Sequence, residues 1–203
     1  MTSRLEHRRQ MQAGIFDAAI RLFDLHGYDD TSVEEICAEA GVGRATFFRY
    51  YETKSGLIRE IDRRVAAQVR RQQQERDDPS FSALLQIVAD VLYQTWAHPG
   101  NGLRAVGRES TSVPRPSRRV FAYTLEVVVE TTTQALERDD LDSALPPQLI
   151  GYVALMQLTS AVGWWLDNPD NDLRALLAGI VQHTLSGYPA RNQRGRQDPV
   201  KHE

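Results

Sequence analysis

Residues 32–51, SVEEICAEAGVGRATFFRYY, carry the pattern from which the rest of the chain is read. Val33, Ile36, Cys37 and Ala40 recur three and four residues apart, so they share one face of a helix. Gly41 suits the left-handed position that ends a helix, because it has no Cβ to clash there. A second helix then carries Arg44, Thr46, Arg49 and Tyr50, all able to reach a polar target, while Phe47 and Tyr51 sit four apart and face inward. Two short helices joined by a tight turn form a helix-turn-helix, whose second helix enters the DNA major groove. A helical hairpin packed inside an enzyme domain has the same local pattern, so the motif alone leaves both readings open.

Working outward, residues 9–26 form an amphipathic helix with Ile15, Ala18, Ala19, Leu22 and Phe23 on one stripe and Gly27 just past its end. Arg8 and Arg9 at its start fit either a basic arm on the minor groove or phosphate, or a disordered tail. Ser32 has Glu35 three residues on, the spacing of a capping box. Beyond the motif, Thr53 is placed to cap another helix. Its apolar stripe is Leu57, Ile58, Ile61, Val65 and Val69, and it runs on until Asp77-Asp78-Pro79 stops it. The polar end of this helix reads as a bridge through solvent between two bodies, with the boundary in residues 70–79.

The second body opens at Ser80 with Phe81, Leu84, Leu85, Val88, Val91, Leu92 and Trp96 on one helix. A shorter helix is expected over 103–109, followed by a break at Pro114 and Pro116. Phe121, Leu125, Val128, Thr132 and Leu136 stripe a further helix, although its Val and Thr triplets have strand-like propensity; a lone strand would lack a partner. Pro146 opens a helix to about residue 166 that is apolar on more than one face, and a last helix covers 172–186. The polar tail 189–203 is expected to be disordered. The sum is an all-α chain of about nine helices.

The net charge of −3 excludes a globally basic nucleic-acid binder, so any such contact must be local. Residues 1–76 hold 13 Lys/Arg against 12 Asp/Glu, a near balance that leans only slightly toward a basic head. No apolar run approaches the roughly 18–20 residues of a membrane span, and the N-terminus lacks the apolar core of a signal peptide, so a cytoplasmic protein is expected. The single cysteine, Cys37, lies on an apolar face and reads as core. No glycine-rich phosphate loop, HExxH, GxSxG or paired-cysteine motif is present. The five histidines are scattered, and Asp139-Asp140-Leu141-Asp142 lacks calcium-loop spacing. No catalytic residue, metal or cofactor is therefore expected.

Over residues 9–69 the chain resembles the TetR family of one-component transcriptional repressors. The resemblance rests on Phe23 with Gly27-Tyr28, on Thr31-Ser32-Val33 with Ile36 and Ala40-Gly41-Val42, on Thr46-Phe47-Phe48-Arg49-Tyr50-Tyr51, and on Lys54 with Leu57. It implies a DNA-binding head over 9–69 with its motif at 32–51, and an effector-binding and dimerisation domain over 80–188. The homodimer would form through residues 146–186 and read a palindromic operator in double-stranded DNA, released by a small-molecule effector. It further implies DNA contact by Ser32, Arg44, Thr46, Phe48, Arg49, Tyr50 and Lys54, with Lys54 on phosphate at a helix N-terminus. Phe48 departs from a common Tyr and loses one hydrogen bond to phosphate. In the second body Tyr93, Trp96, Arg104, Tyr123, Gln157 and Trp164 are candidates to line the effector pocket. Trp164 and Trp165 lie about 100° apart on their helix, so they cannot both face one core. The alternative is a helical enzyme or interaction protein in which residues 32–51 only pack.

Overall fold

The computed structural model describes residues 3–76, 78, 80–97, 103–104, 121–138, 140–141 and 143–187. Among them eight helices follow one another: α1 (Arg4–His26), α2 (Val33–Glu39), α3 (Arg44–Tyr51), α4 (Gly56–Arg76), α5 (Phe81–Trp96), α6 (Ala122–Glu137), α7 (Pro147–Asp167) and α8 (Leu173–Gly187). No strand occurs among the described residues, in agreement with the all-α expectation. Of the helix expected at 103–109, Leu103 and Arg104 are helical and the remainder lies outside the described residues, as do the two prolines and the tail.

Helix α1 begins earlier than its apolar stripe suggests. Ser3 accepts the Glu6 amide at 3.2 Å while the Glu6 carboxylate accepts the Ser3 amide at 2.8 Å. This capping box starts the helix at Arg4, so Arg8 and Arg9 belong to α1 and are not an arm. The helix stops at Gly27, whose φ of 87° is open to glycine and whose amide donates to the Phe23 carbonyl at 2.9 Å. Tyr28 then folds back onto Phe23, with ring centroids 5.0 Å apart.

The motif closes as its spacing requires. Ser32 and Glu35 form the second capping box, at 2.7 and 3.2 Å, and Gly41 turns the chain with φ 64°. Ile36, Cys37, Phe47 and Tyr51 are buried beneath it. The Tyr51 hydroxyl donates to the Gln12 carbonyl at 2.8 Å, tying α3 to α1. Burial first, and the nearby Glu60 second, push that hydroxyl's pKa up, so it remains a donor. Thr53 accepts the Gly56 amide at 3.2 Å and starts α4. Gly56 lies directly against the Tyr51 carbonyl, leaving no room for a Cβ.

Helix α4 departs from expectation in its second half. The polar pattern of residues 70–76 predicts a bridge through solvent, but α4 packs along α5 and α6. Val65 and Val69 are buried, and its polar residues reach the neighbouring helices. Arg70 pairs with Glu130 at 3.0 Å, Gln73 donates to Thr131 at 2.8 Å, and Arg76 pairs with Asp90 at 3.2 Å. Polar residues on the outer face of a helix therefore disguised a docked element.

The core sits among α4–α8: α6 lies on α7, and α8 lies on both α5 and α7. The β-branched run in α6 stays helical because Thr131, Thr132 and Thr133 donate to the carbonyls of Val127, Val128 and Val129 at 3.1, 2.7 and 2.8 Å. That bond satisfies the hydroxyl within the helix. Helix α7 corrects the sequence reading in one respect, since its 21 residues include a window with mean hydropathy 1.4, long and apolar enough by composition to cross a membrane. One face of it, including Ile150, Leu155, Leu158 and Trp165, is packed inside the protein, as in a core helix.

Gly56→Ala is expected to lower stability by about 1–3 kcal/mol, because the added methyl must displace the Tyr51 carbonyl or the first turn of α4. Urea unfolding would measure this, and an unchanged midpoint would show that the α3–α4 junction tolerates a side chain.

Candidate nucleic-acid interface and core cavity

Because Phe47 and Tyr51 point inward from α3, the same helix presents Arg44, Phe48 and Arg49 outward. Phe48 remains 39% exposed, set edge-on against Phe47 with centroids 5.5 Å apart. The Arg44 guanidinium lies 5.7 Å from the Phe48 ring and also pairs with Glu34 on α2. Thr46 and Tyr50 are half-buried at the edges of this face. Arg49 and Arg8 flank Tyr50, at 5.4 and 6.0 Å from its ring, and neither makes an ion pair among the described residues. Arg8 joins the face because α1 begins at Arg4, a consequence of the Ser3–Glu6 box that the apolar pattern did not reveal.

Two of the expected contacts are engaged within the protein. Lys54 does not point outward: its ammonium donates to the carbonyls of Tyr28, Asp29 and Thr31 at 2.6, 3.3 and 3.1 Å. It also lies 4.3 Å from the centre of the Tyr28 ring. Three donors meet three carbonyls, so Lys54 fastens the loop between α1 and α2 to the start of α4. Ser32 is likewise engaged, its hydroxyl accepting the Glu35 amide and donating to the Glu35 carboxylate at 2.7 Å. These hydrogen bonds hold the Glu35 carboxyl below its usual range.

In the core, a small cavity of about 20 Å3 is bounded by Ile61, Asp62 and Val65 of α4, Leu92 and Trp96 of α5, Phe121 and Thr124 at the start of α6, and Leu155 and Thr159 of α7. Asp62 is 4% exposed. Its Oδ2 accepts the Tyr123 amide at 2.9 Å, and its Oδ1 accepts the Thr124 amide at 3.1 Å and the Thr124 hydroxyl at 2.5 Å. Tyr123 and Thr124 are in the first turn of α6, whose own N-cap position, Phe121, supplies no side-chain bond. Asp62 thus caps a helix 62 residues away. Burial raises its pKa, and the bonds from Thr124 and Tyr123 offset part of that rise.

Of the six residues expected in the pocket, Trp96 lines this cavity. Tyr93 instead faces a groove between α5 and α8, with the Arg174 guanidinium 4.1 Å from its ring. Arg104 stacks 4.7 Å from the Trp165 ring and leaves its Nε buried without a partner. The Tyr123 side chain is 46% exposed although its amide is held inside. Gln157 accepts from Thr184 at 2.6 Å and so joins α7 to α8. Trp164 is 50% exposed, whereas Trp165 is buried and donates its indole N–H to the Asn171 carbonyl at 2.9 Å. Asp62 was missed, although a charge four residues after Ile58 and three before Val65 falls within an apolar stripe and marks a buried carboxylate.

Helices α2 and α3, with Phe47 and Tyr51 turned inward and Arg44, Phe48 and Arg49 exposed, have the form of a helix-turn-helix. Residues 15–61 match the family described as bacterial regulatory proteins, tetR family. Over 43 residues the chain is 49% identical to MftR of Mycobacterium tuberculosis, whose name assigns it to transcriptional regulation of mycofactocin biosynthesis; the match spans 21% of this chain and 22% of that protein. The fold extends further. FadR of Thermus thermophilus, a TetR-family repressor solved with lauroyl-CoA, superposes with a TM-score of 0.69 at 22% identity, covering 95% of this chain and all of that one. TylP of Streptomyces fradiae gives 0.69 at 20% identity over 97% and 87% of the two chains. FadR of Bacillus subtilis with stearoyl-CoA gives 0.67 at 17% identity over 86% and 98%.

Replacing Lys54 by Ala is expected to destabilise the head by about 1–3 kcal/mol, since three carbonyls lose a charged donor. A thermal melt that matched the wild type would return Lys54 to the role of a phosphate contact. Arg49→Ala should leave the melt unchanged.

Proposed function

We propose that the chain is a ligand-responsive transcriptional regulator, a repressor that leaves its operator when a small molecule occupies the core. The observation that carries this is the pairing of an outward Arg44–Phe48–Arg49 face with α4, one unbroken helix from the motif to the core cavity. Arg49 and Arg8 supply cations to phosphate, and Phe48 offers an apolar edge to a thymine methyl. Residues 9–69 act as the head and residues 80–188 as the effector and dimerisation domain. The protein works in the cytoplasm, where its DNA is. The lauroyl-CoA and stearoyl-CoA in the two FadR structures support a small molecule as the signal in this fold.

Dimerisation is argued from surface left open on α7. Leu149 and Trp164 are 44% and 50% exposed, and Tyr152, Val153, Met156 and Ala161 between them are only partly covered. Together with Ile180 of α8 they form a stripe that a second copy would cover in a four-helix bundle. Burying about 1,500 Å2 or more would be ordinary for a permanent dimer. Two heads roughly 34–36 Å apart would then meet successive major grooves of a palindrome.

Mobility shifts on the DNA upstream of the chain's own gene test the reading. Specific binding should weaken with salt, and Arg49→Ala should reduce the slope of log affinity against log salt by about 1 per head. Retarded complexes that ignore both salt and sequence would end the proposal. Trp164→Arg should convert the dimer to a folded monomer, seen by light scattering with unchanged circular dichroism, and should abolish the specific shift. A dimer that survives this change would place the interface elsewhere.

A further inference from the structure

We propose that the cavity around Asp62 recognises a small organic cation, a protonated amine on an apolar or aromatic body, whose N–H donates to the Asp62 carboxylate. The inference rests on the ligand-responsive reading above and adds the chemical class of the signal. It starts from the polarity of the lining. Asp62 is buried and makes no ion pair among the described residues, and it is the charged side chain among the residues that bound the cavity. Its Oδ1 accepts two protein hydrogen bonds and its Oδ2 accepts one, so Oδ2 keeps a lone pair for a ligand.

The two hydroxyls beside it have no hydrogen to offer. Thr124 donates its own to Asp62 at 2.5 Å, and Thr159 donates to the Leu155 carbonyl at 2.9 Å. What both present to the cavity is oxygen. An anionic head group would meet a carboxylate and two such hydroxyls. A cation meets three acceptors, with the aromatic residues Trp96 and Phe121 in the same wall. The remaining lining, Ile61, Val65, Leu92 and Leu155, suits an apolar body.

Size sets the order of events. A space of about 20 Å3 holds one water-sized group, the volume of an ammonium head. The body of the ligand enters where Phe121 now sits, half-buried and with the non-helical backbone angles φ −116° and ψ 33°. The cation then touches α4 directly, because the residue that receives it is part of α4. It also competes with the cap on α6, because that cap is the same carboxylate. One contact therefore alters how α4 is held against the core, and differential affinity for two attitudes of α4 is what a signal requires.

The test uses the full chain and three isosteric probes: 4-phenylbutylamine, 4-phenylbutyrate and 4-phenylbutan-1-ol. Calorimetric titration and thermal shift should show the amine binding at least about tenfold more tightly than the carboxylate, with the alcohol between them. Asp62→Asn, which retains an oxygen for the α6 cap, should remove the amine's advantage while helical content stays at the wild-type level. Equal or tighter binding of the carboxylate to the wild type would overturn the proposal, as would an Asp62→Asn protein that keeps the amine preference. Should that variant fail to fold, the three probes on the wild type decide alone. These measurements contain no DNA. A chain that prefers the amine but binds no operator would overturn the regulatory reading and leave the site standing. A chain that binds its operator and prefers the carboxylate would do the reverse.

Discussion

Glu60 and Asp62 lie two residues apart on α4, and two residues on an α-helix are about 200° apart, so their carboxylates leave on opposite sides. Glu60 turns toward the head: its oxygens accept from Gln12 of α1 at 3.2 Å, from Arg63 at 2.8 and 2.9 Å, and from Arg64 at 3.0 Å. Arg64 extends the tie by lying 3.9 Å from the Phe16 ring and by pairing with Asp17 at 3.4 Å. Asp62 turns toward the core and holds the first turn of α6. Both carboxylates are nearly withdrawn from water, which is tolerable because each oxygen accepts at least one hydrogen bond. A rotation of α4 about its axis would strand one carboxylate or the other. Head and core are thus attached to one helix by buried groups that specify its angular setting.

The two attachments differ in kind. Glu60 is met by guanidinium groups that stay partly in solvent, so its site is a charged network at the edge of the head. Asp62 is met by backbone amides and a hydroxyl, neutral donors reinforced by the dipole of α6. The first satisfies its charge; the second satisfies its hydrogen bonds and leaves its charge without a cation. That residual negative charge, enclosed by Leu92, Trp96, Leu155 and Phe121, distinguishes the cavity electrostatically from the rest of the core.

Local features were legible in the sequence because their physics is local. The Ser32–Glu35 box, the left-handed turn at Gly41, the inward Phe47 and Tyr51 and the Thr53 cap all involve residues within one or two helical turns, and spacing encodes each of them. The internal bonds of Lys54 are not legible in the sequence, because a lysine at a helix start suits an external phosphate as well as three internal carbonyls, and the choice depends on where residues 28–31 run. The small cavity is hard to read from sequence for a related reason. Tyr93, Tyr123 and Trp164 are conspicuous as aromatics, but helix phase and neighbour packing turn Tyr123 and Trp164 outward and set Tyr93 in the α5–α8 groove. The group that does line the cavity, Asp62, is partnered across 62 residues. A cap supplied by another helix leaves no spacing signature at the helix it caps.

With Lys54 withdrawn and Arg44 paired to Glu34, the outward face of a single head has few cations left for phosphate. Each cation contributes its own counterion-release increment, so a face this sparse gives one head only modest and strongly salt-dependent affinity. In the proposed dimer, two heads on one body would change the arithmetic, because the second engagement would occur at a high effective concentration once the first is made. That gain exists only while the spacing of the heads matches the spacing of the grooves. Weak heads therefore make binding depend on geometry more than on contact strength, and the angular setting of α4 supplies that geometry. A signal acting on the proposed regulator need not disturb the DNA-facing residues at all: a small change in how Asp62 holds α6 suffices to reduce two engagements to one.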